Sequence, residues 1–369
     1  MQLHFILNLL GGTMGFEVDF HAVGEETKSG DAISMRFVEG DEQFVIVIDG
    51  GFKSDGEKVV NTVKNHYGTN YVDLVISTHP DQDHINGLFE VLETMEVGEL
   101  WIKKPWEHGD LASLLKDGRF TDNSVGEKLA KQLNKAVDLV NLAEEKGIPV
   151  REPFSGCSIN KCGAQIISIG PDLDYYRDLI PEILTLEPAL ESKSEASFVD
   201  RIIEKAKSIF RAVWGEDDLD EDAKTSALNS TSAITLINYD GQSLLFTGDA
   251  GIDALNDAYP LFEAHSNKLR LMQIPHHGSR RNISSSVLDC YIGEPLADKN
   301  ASRGITAIAS AAQKSEKHPR PAVLNAFIHR GVKTLATNGK GIRHHNNLGA
   351  REGWNAAEVE VYQEEYERE

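Results

Sequence analysis

The sequence predicts an α/β fold in which helices cover a strand-rich core. Short apolar segments bounded by glycine, aspartate and asparagine turns recur along most of the chain, and this pattern is typical of strands. The segment 74–77 is apolar on successive positions, which suits a sheet that is covered on both faces. The segment 83–95 places its apolar residues at the spacing of a core-facing helical stripe.

The predicted elements follow in order along the chain. The first half contains strands at 16–20, 32–37, 44–48, 74–77 and 165–169, and helices at 59–66, 83–95 and 125–146. An acid-rich stretch then interrupts the strand pattern, and we interpret it as a helical insertion over about 172–225. The second half contains strands at 232–239, 243–247, 269–274, 306–309 and 333–336, and helices at 252–259 and 322–330.

Composition limits the class of protein. The 369 residues are 40% hydrophobic and 26% charged, which is ordinary for a globular chain. Three cysteines cannot form a disulfide framework, so we expect a reducing, cytoplasmic location. Residues 3–10 are apolar but too short to span a membrane, and no signal peptide is expected. We expect residues 1–13 to be an extension, 14–345 one domain, and 346–369 a polar acidic tail.

Charge is unevenly distributed over the chain. The net charge is −21, yet the stretch 268–343 carries a net charge of +9. A basic region beside an active site would attract a phosphate-bearing substrate such as a nucleotide or nucleic acid. The alternative is that these residues form a solvated face or pair with acidic parts of the same chain.

A dense group of metal-ligand side chains follows the apolar strand at 74–77. His79, Asp81, Asp83 and His84 occur within six residues, at a strand end where active-site loops of α/β folds gather. Imidazole and carboxylate ligands suit zinc, manganese or iron. The alternative is that Asp83 only caps the following helix while the histidines are surface residues. Taken together, the four side chains favour a metal site.

Two later segments supply further ligands. Asp249 follows the strand 243–247, where it could bind metal, cap the next helix, or do both. His276 and His277 follow the strand 269–274. Adjacent side chains of an extended chain face opposite ways. We therefore expect only one of this pair to bind metal and the other to contact either the substrate or a metal-binding side chain.

The order of these motifs resembles the metallo-β-lactamase domain of the ComEC-type DNA-uptake proteins. The resemblance covers roughly residues 16–342 outside the insertion, and it implies an αββα sandwich of two mixed sheets flanked by helices. The chain lacks the membrane-spanning part of those proteins, so a role in DNA import is not implied. The segments that carry the resemblance are 23–24, 30–33, 48–51, 79–88, 229–232, 247–249, 275–279, 318–324 and 337–341.

The resemblance also implies which residues bind metal. His79, Asp83, His84, Asp249 and His277 fall on metal-binding positions, with Asp249 bridging two ions. Asp81 stands where the pattern usually has histidine, which leaves open whether one or two divalent ions, zinc or manganese, are bound.

These residues predict a hydrolase that uses a metal-activated water. Asp83 is the candidate to orient the water and accept its proton. The candidates for holding substrate oxygens are His318, Ser279, Arg280 or Arg281, His276 and Asn229.

The substrate class is open to three hypotheses. A phosphodiesterase or nuclease-like enzyme is favoured by the resemblance and by the basic stretch. A hydrolase of a small ester, lactone or thioester would use similar ligands. A non-catalytic, metal-stabilised binding or sensing module would follow if Asp81 weakens the site.

Overall fold

The computed structural model describes residues 14–24, 27–108, 124–185 and 209–367. The expected extension at 1–13 and residues 186–208 of the expected insertion lie outside this part of the chain. Among the described residues, no helix combines the length and the apolar character needed to cross a membrane.

The first half of the chain builds one sheet. Its strands are β1 (Met14–Phe20), β2 (Ala32–Glu39), β3 (Glu42–Gly50), β4 (Tyr71–Ile76), β5 (Glu96–Trp101) and β6 (Val150–Arg151). Its helices are α1 (Gly56–Asn65), α2 (Gln82–Ile85), α3 (Leu88–Thr94) and α4 (Ser124–Glu145). A late strand, β15 (Ile342–Asn346), pairs with β1, and the strand order is β15-β1-β2-β3-β4-β5-β6. The sheet is mixed because β1 to β3 are antiparallel and β3 to β6 are parallel.

The second half builds a second mixed sheet. Its strands are β7 (Ser158–Lys161), β8 (Ala164–Gly170), β10 (Ile234–Tyr239), β11 (Gln242–Phe246), β12 (Lys268–Gln273), β13 (Thr306–Ala309) and β14 (Lys333–Ala336), in the order β14-β13-β12-β11-β10-β8-β7. Its helices are α5 (Leu173–Thr185), α6 (Ala227–Ser230), α7 (Ile252–His265), α8 (Ser285–Tyr291) and α9 (Pro321–Ile328). A two-stranded sheet pairs β9 (Ile209–Arg211) with β16 (Glu365–Glu367).

The two sheets pack face to face through apolar side chains. Phe37 of β2 meets Tyr239 of β10 with ring centroids 5.2 Å apart, and Phe20 stacks on Phe246 at 6.3 Å. Full burial of each such side chain contributes roughly 1.5–3 kcal/mol. Helices α1, α3 and α4 cover the outer face of the first sheet, and α7, α8 and α9 cover that of the second. This architecture confirms the predicted αββα sandwich of two mixed sheets.

The single helix predicted over 83–95 is divided into α2 and α3. Gly87 lies between them against the end of β3, where a Cβ atom would come within 1.9 Å of the Gly50 carbonyl oxygen. The Gly87 amide donates to the Gly51 carbonyl at 3.0 Å. The chain therefore turns at this point because its backbone packs directly on a neighbouring loop.

The C-terminal residues pack along the sandwich. Arg351 pairs with Glu17 and Asp19 of β1, at 2.7 and 2.6 Å. Farther on, the Gln363 amide donates to Asn325 Oδ1 of α9 at 2.9 Å before β16 begins. We expected residues 346–369 to form a polar tail. Asn346 instead ends β15, and the residues that follow it, as far as 367, pack against the fold. We call residues 347–367 the C-terminal strap.

Candidate metal centre

The candidate metal centre lies at one edge of the sandwich, where strands of both sheets end. His79 follows β4, Asp249 follows β11, and His276 follows β12. Strand β4 is parallel to β3, and β11 is parallel to β12, so their carboxyl ends are grouped in each sheet. This is the edge at which loops of α/β folds collect ligands.

Asp249 stands at the centre, and its two carboxylate oxygens face different histidines. Oδ2 lies 3.8 Å from His79 Nε2 and 3.5 Å from His276 Nε2. Oδ1 lies 3.5 Å from His84 Nε2. The side chain is only 3% exposed. A buried carboxylate with imidazoles on both sides has the arrangement needed to bridge two cations.

The other ligand candidates divide between the two sides of Asp249. Asp81 Oδ2 is 3.7 Å from His79 Nε2, which places it on the Oδ2 side. Asp83 Oδ2 is 3.9 Å from His277 Nε2. The structure thus brings together all six side chains that the sequence proposed as metal ligands.

Asp31 joins this centre although the sequence analysis did not select it. Ligand atoms of Asp31, His84, Asp249 and His277 all lie within 4.8 Å of one another. The Asp31 amide donates to the Asp83 carbonyl at 3.1 Å, and burial raises the pKa of its carboxyl group to about 6. A single aspartate after a glycine gives no spacing signal, so only the packing of the two loops reveals its position.

Both His276 and His277 face the centre, contrary to the expectation from an extended chain. The two residues adopt left-handed backbone conformations, with φ of 46° and 57°. Their ring centroids are 5.5 Å apart, and both histidines help to hold the pKa of Asp249 well below its ordinary value against the opposing effect of burial. The assumption of extended backbone was wrong at these positions, and the expectation that only one of the pair binds metal stays a prediction.

Asn282 fixes the orientation of His276. Its Nδ2 donates to the Asp249 carbonyl at 2.8 Å, so its Oδ1 must face the His276 ring, 3.0 Å from Nδ1. A proton on His276 Nδ1 would be donated to this oxygen, and Nε2, which faces Asp249, would then be the atom available to a cation. Asn229, a substrate-binding candidate, has its Nδ2 3.2 Å from the same Nδ1 and donates to Thr225 Oγ1 at 3.3 Å.

Asp49, at the end of β3, orients two further histidines. Its Oδ2 accepts from His84 Nδ1 at 2.8 Å and from the Thr78 hydroxyl at 2.6 Å. Since that hydroxyl donates to Asp49, its oxygen accepts from His79 Nδ1 at 3.0 Å. With the Nδ1 atoms of His84 and His79 held through one carboxylate, the Nε2 atoms of both rings face Asp249 and are the atoms that would bind a cation.

The buried polar atoms of this centre that lack a hydrogen-bond partner indicate whether it suits metal ions. His79 Nε2, His84 Nε2 and Asp249 Oδ1 are buried without a hydrogen-bond partner, as are both ring nitrogens of His277. Burial alone would lower the pKa of His84, yet the carboxylates of Asp249 and Asp49 raise it well above its ordinary value. A site that stabilises positive charge and presents unpaired nitrogen and oxygen lone pairs fits divalent cations.

One side of the centre is open. The side chains of Asp81, Asp83 and His276 are 24%, 30% and 27% exposed, whereas His79 and His84 are fully buried. His318 stands beside this opening, with its ring centroid 5.7 Å from that of His276. Burial lowers the pKa of His318 to about 3, so the ring is neutral at physiological pH.

The remaining candidates lie close to the centre in different roles. Ser279 is buried, and its hydroxyl accepts from the Arg281 amide at 3.2 Å. Arg280 Nη2 lies 3.3 Å from Asp218 Oδ1. Ser279 thus shapes the turn after His277. Arg280 instead lines a separate cavity.

Lys103 is a buried cation behind His79. It lines a small cavity with Ser77, Thr78 and His79, and its Nζ has no hydrogen-bond partner. Burial lowers the pKa of this ammonium group from 10.5 to about 7. The unfolded chain therefore binds the proton more tightly than the folded chain does. Lys103 lowers the free energy of unfolding at every pH at which the lysine of the unfolded chain is charged.

We expect Lys103→Met to raise the free energy of unfolding by about 1–4 kcal/mol at pH 6, because it removes a buried charge at similar volume. The gain should be complete below pH 7, shrink as pH rises, and vanish near the ordinary pKa of 10.5. Urea unfolding at several pH values measures it, with the exposed Lys64→Met as control. A difference that does not change with pH would contradict this account.

Comparisons with known proteins give fold-level similarity only. The sequence matches no protein-family model and no curated protein. Similar solved structures include a metallo-β-lactamase from Cronobacter sakazakii, at 10% identity and TM-score 0.32 over 67% of this chain and 74% of that one. A diphosphatase of the PhnP family has 11% identity and TM-score 0.39 over 89% and 97% of the two chains. A long-form RNase Z from yeast has 12% identity and TM-score 0.41 over 89% of this chain and 42% of that one.

Proposed function

We propose that this chain is a metal-dependent phosphodiesterase or nuclease-like hydrolase with two divalent ions bound on either side of Asp249. The observation that carries the proposal is the division of histidines between the two oxygens of that carboxylate. The four carboxylates of Asp31, Asp81, Asp83 and Asp249 favour a hard ion such as manganese over zinc.

The protein residues around the opening have separate parts in the reaction. When bound, divalent ions lower the pKa of the attacking water and polarise the phosphoryl group. Asp83 Oδ2 is a partly exposed acceptor at the opening, and burial raises the pKa of this carboxyl group toward the range of a useful general base. The neutral His318 ring can donate a hydrogen bond to a substrate oxygen on the same side.

Phosphodiesters are favoured over carboxyl esters by the charge beside the opening. Of the basic stretch 268–343, Arg280 and Arg320 lie on the turns that carry His277 and His318, whereas Arg330 and Arg343 pair with acidic residues elsewhere in the chain. Guanidinium groups bind phosphate oxygens in a planar, two-point geometry that suits them to this task. A carboxyl-ester substrate has no need of such groups.

The test is hydrolysis of a phosphodiester by the full chain. We expect turnover of bis(p-nitrophenyl) phosphate or single-stranded DNA that requires added manganese or zinc. Asp83→Ala should lower kcat by about 10²–10⁴-fold, as loss of a general base does. Asp41→Ala, at an exposed turn between β2 and β3, should have no effect.

Two results would sink the proposal. One is the absence of turnover of any phosphodiester by metal-loaded protein. The other is metal-dependent hydrolysis of carboxyl esters, lactones or thioesters alone, which would assign the centre to the second class of substrate.

A further inference from the structure

A second cavity, of about 270 Å³, is lined in part by residues of the two turns that follow His277 and His318. Arg280 and Arg320 line one part of it, and Gln363, Tyr366 and Glu367 of the C-terminal strap line another. Its size exceeds that of a phosphate group several-fold, so it could hold a phosphate together with part of a nucleoside. The parts assigned to Asp83 and His318 in the proposed reaction do not involve this cavity.

The two arginines are attached to the metal centre through the backbone. Arg280 comes three residues after His277, and Arg320 comes two residues after His318. The Arg320 amide donates to the Gly278 carbonyl at 3.0 Å, which ties the two turns together. The cavity is therefore built partly from the same two turns that carry His277 and His318.

The guanidinium of Arg280 is held in place before any ligand binds. Asp218 is 8% exposed, and its Oδ1 lies 3.3 Å from Arg280 Nη2. The Tyr366 hydroxyl donates to the other oxygen of Asp218 at 3.2 Å. Because the strap supplies this tyrosine, it fixes the arginine as well as forming a wall of the cavity. A fixed guanidinium loses little conformational entropy when an anion binds.

Two like charges face one space in this cavity. Burial, together with the nearby Arg280, lowers the pKa of Arg320 from its ordinary value. The exposed carboxylates of Glu316 and Glu367 also line the cavity, and they offset part of this repulsion. A phosphate group could accept charge-assisted hydrogen bonds from both guanidiniums, in competition with the carboxylates that already surround them.

We propose that this cavity binds a second phosphate group of the substrate, adjacent in the nucleotide chain to the phosphodiester that is cleaved. The inference rests on the proposed function, and it narrows the substrate class to nucleotides or nucleic acids that carry more than one phosphate. Cyclic mononucleotides and simple diesters would leave the cavity empty.

The kinetic test compares thymidine dinucleotides with and without a terminal phosphate, at the 5′ or the 3′ end. The wild type should show a KM at least about tenfold lower for one phosphorylated form, as expected for charge-assisted hydrogen bonds. Arg320→Gln should abolish that preference, so that the variant has the same KM for the phosphorylated and the unphosphorylated dinucleotides. Glu316→Gln should strengthen the preference because it removes a competing carboxylate. Lys317→Gln removes an exposed neighbouring charge outside the cavity lining and should leave KM unchanged.

A binding measurement separates this inference from the proposed function. Inorganic phosphate is titrated calorimetrically into the full chain, as purified and with added manganese. We expect a binding event that Arg320→Gln weakens at least about tenfold and that Arg320→Lys weakens less. If no diester is hydrolysed but this event occurs, the proposed function fails and the anion site stands. Equal KM values for all dinucleotides, or phosphate binding unaffected by Arg320→Gln, would overturn the inference.

Discussion

Asp249→Asn is expected to remove bound metal and to lower kcat/KM by about 10³-fold or more. The substitution replaces one carboxylate oxygen by an amide nitrogen, which cannot bind a cation. Since Oδ1 and Oδ2 face different histidines, at 3.5 and 3.8 Å, neither ion would keep its bridging ligand. Loss of metal polarisation accounts for several kcal/mol of transition-state stabilisation, and each 1.4 kcal/mol is about tenfold in rate.

Elemental analysis and diester hydrolysis on the same preparations check this prediction. Asp253→Asn is the matched control, because Asp253 lies only four residues along the chain and pairs with Lys224 at the surface. Its metal content and activity should equal those of the wild type. An Asp249→Asn protein that keeps its full metal content would remove Asp249 from the centre.

Asp49→Asn is expected to weaken metal binding at least about 10–100-fold, the usual effect of removing a hydrogen-bonded partner of a metal ligand. An amide at this position cannot accept from the Thr78 hydroxyl, the Thr78 amide and His84 at once. The orientation of both His84 and His79 would relax, because the second depends on the same carboxylate through Thr78. High metal concentration should restore most of the activity, which distinguishes positioning from direct catalysis.

The control for Asp49→Asn is another buried aspartate with a purely structural setting. Asp73 on β4 accepts from the Val45 amide at 2.8 Å and pairs with Lys161. Asp73→Asn should lower the free energy of unfolding by about 1–3 kcal/mol and leave metal affinity unchanged. Thr78→Val should weaken metal binding, whereas Thr78→Ser should not. Equal metal affinity in wild type and Asp49→Asn would contradict the proposal that Asp49 orients His84 and, through Thr78, His79.

The fold was largely predictable because most strands have an apolar pattern that sheet burial requires. Strands β13 and β14 begin and end where expected, at 306–309 and 333–336. Strand β5 was missed because its sequence, EVGELW, mixes charged residues and glycine with apolar ones. Strand β15, which pairs with β1, was missed because Arg343, His344 and His345 make its sequence polar, as in a loop.

The candidate site was predictable where its ligands are close together in sequence. It was less predictable where loop packing or an unusual backbone conformation brings a side chain to the centre. His79 to His84 stand together in the chain, so their proximity needed no structure. Asp31 comes from a different loop, and only its contact with the loop of Asp83 places it at the centre. His276 faces Asp249 because of a left-handed backbone that no residue pattern indicated. The closer resemblance to the ComEC-type domain stays a prediction.

The most direct test of the central claim is anomalous diffraction from crystals of the full chain grown with manganese. A bridged two-ion centre should give two anomalous peaks about 3.5–4 Å apart, one on each side of the Asp249 carboxylate. The first should lie near His79, Asp81 and His276, and the second near His84 and His277. A single peak, or no peak at all with saturating manganese, would contradict a bridged two-ion centre.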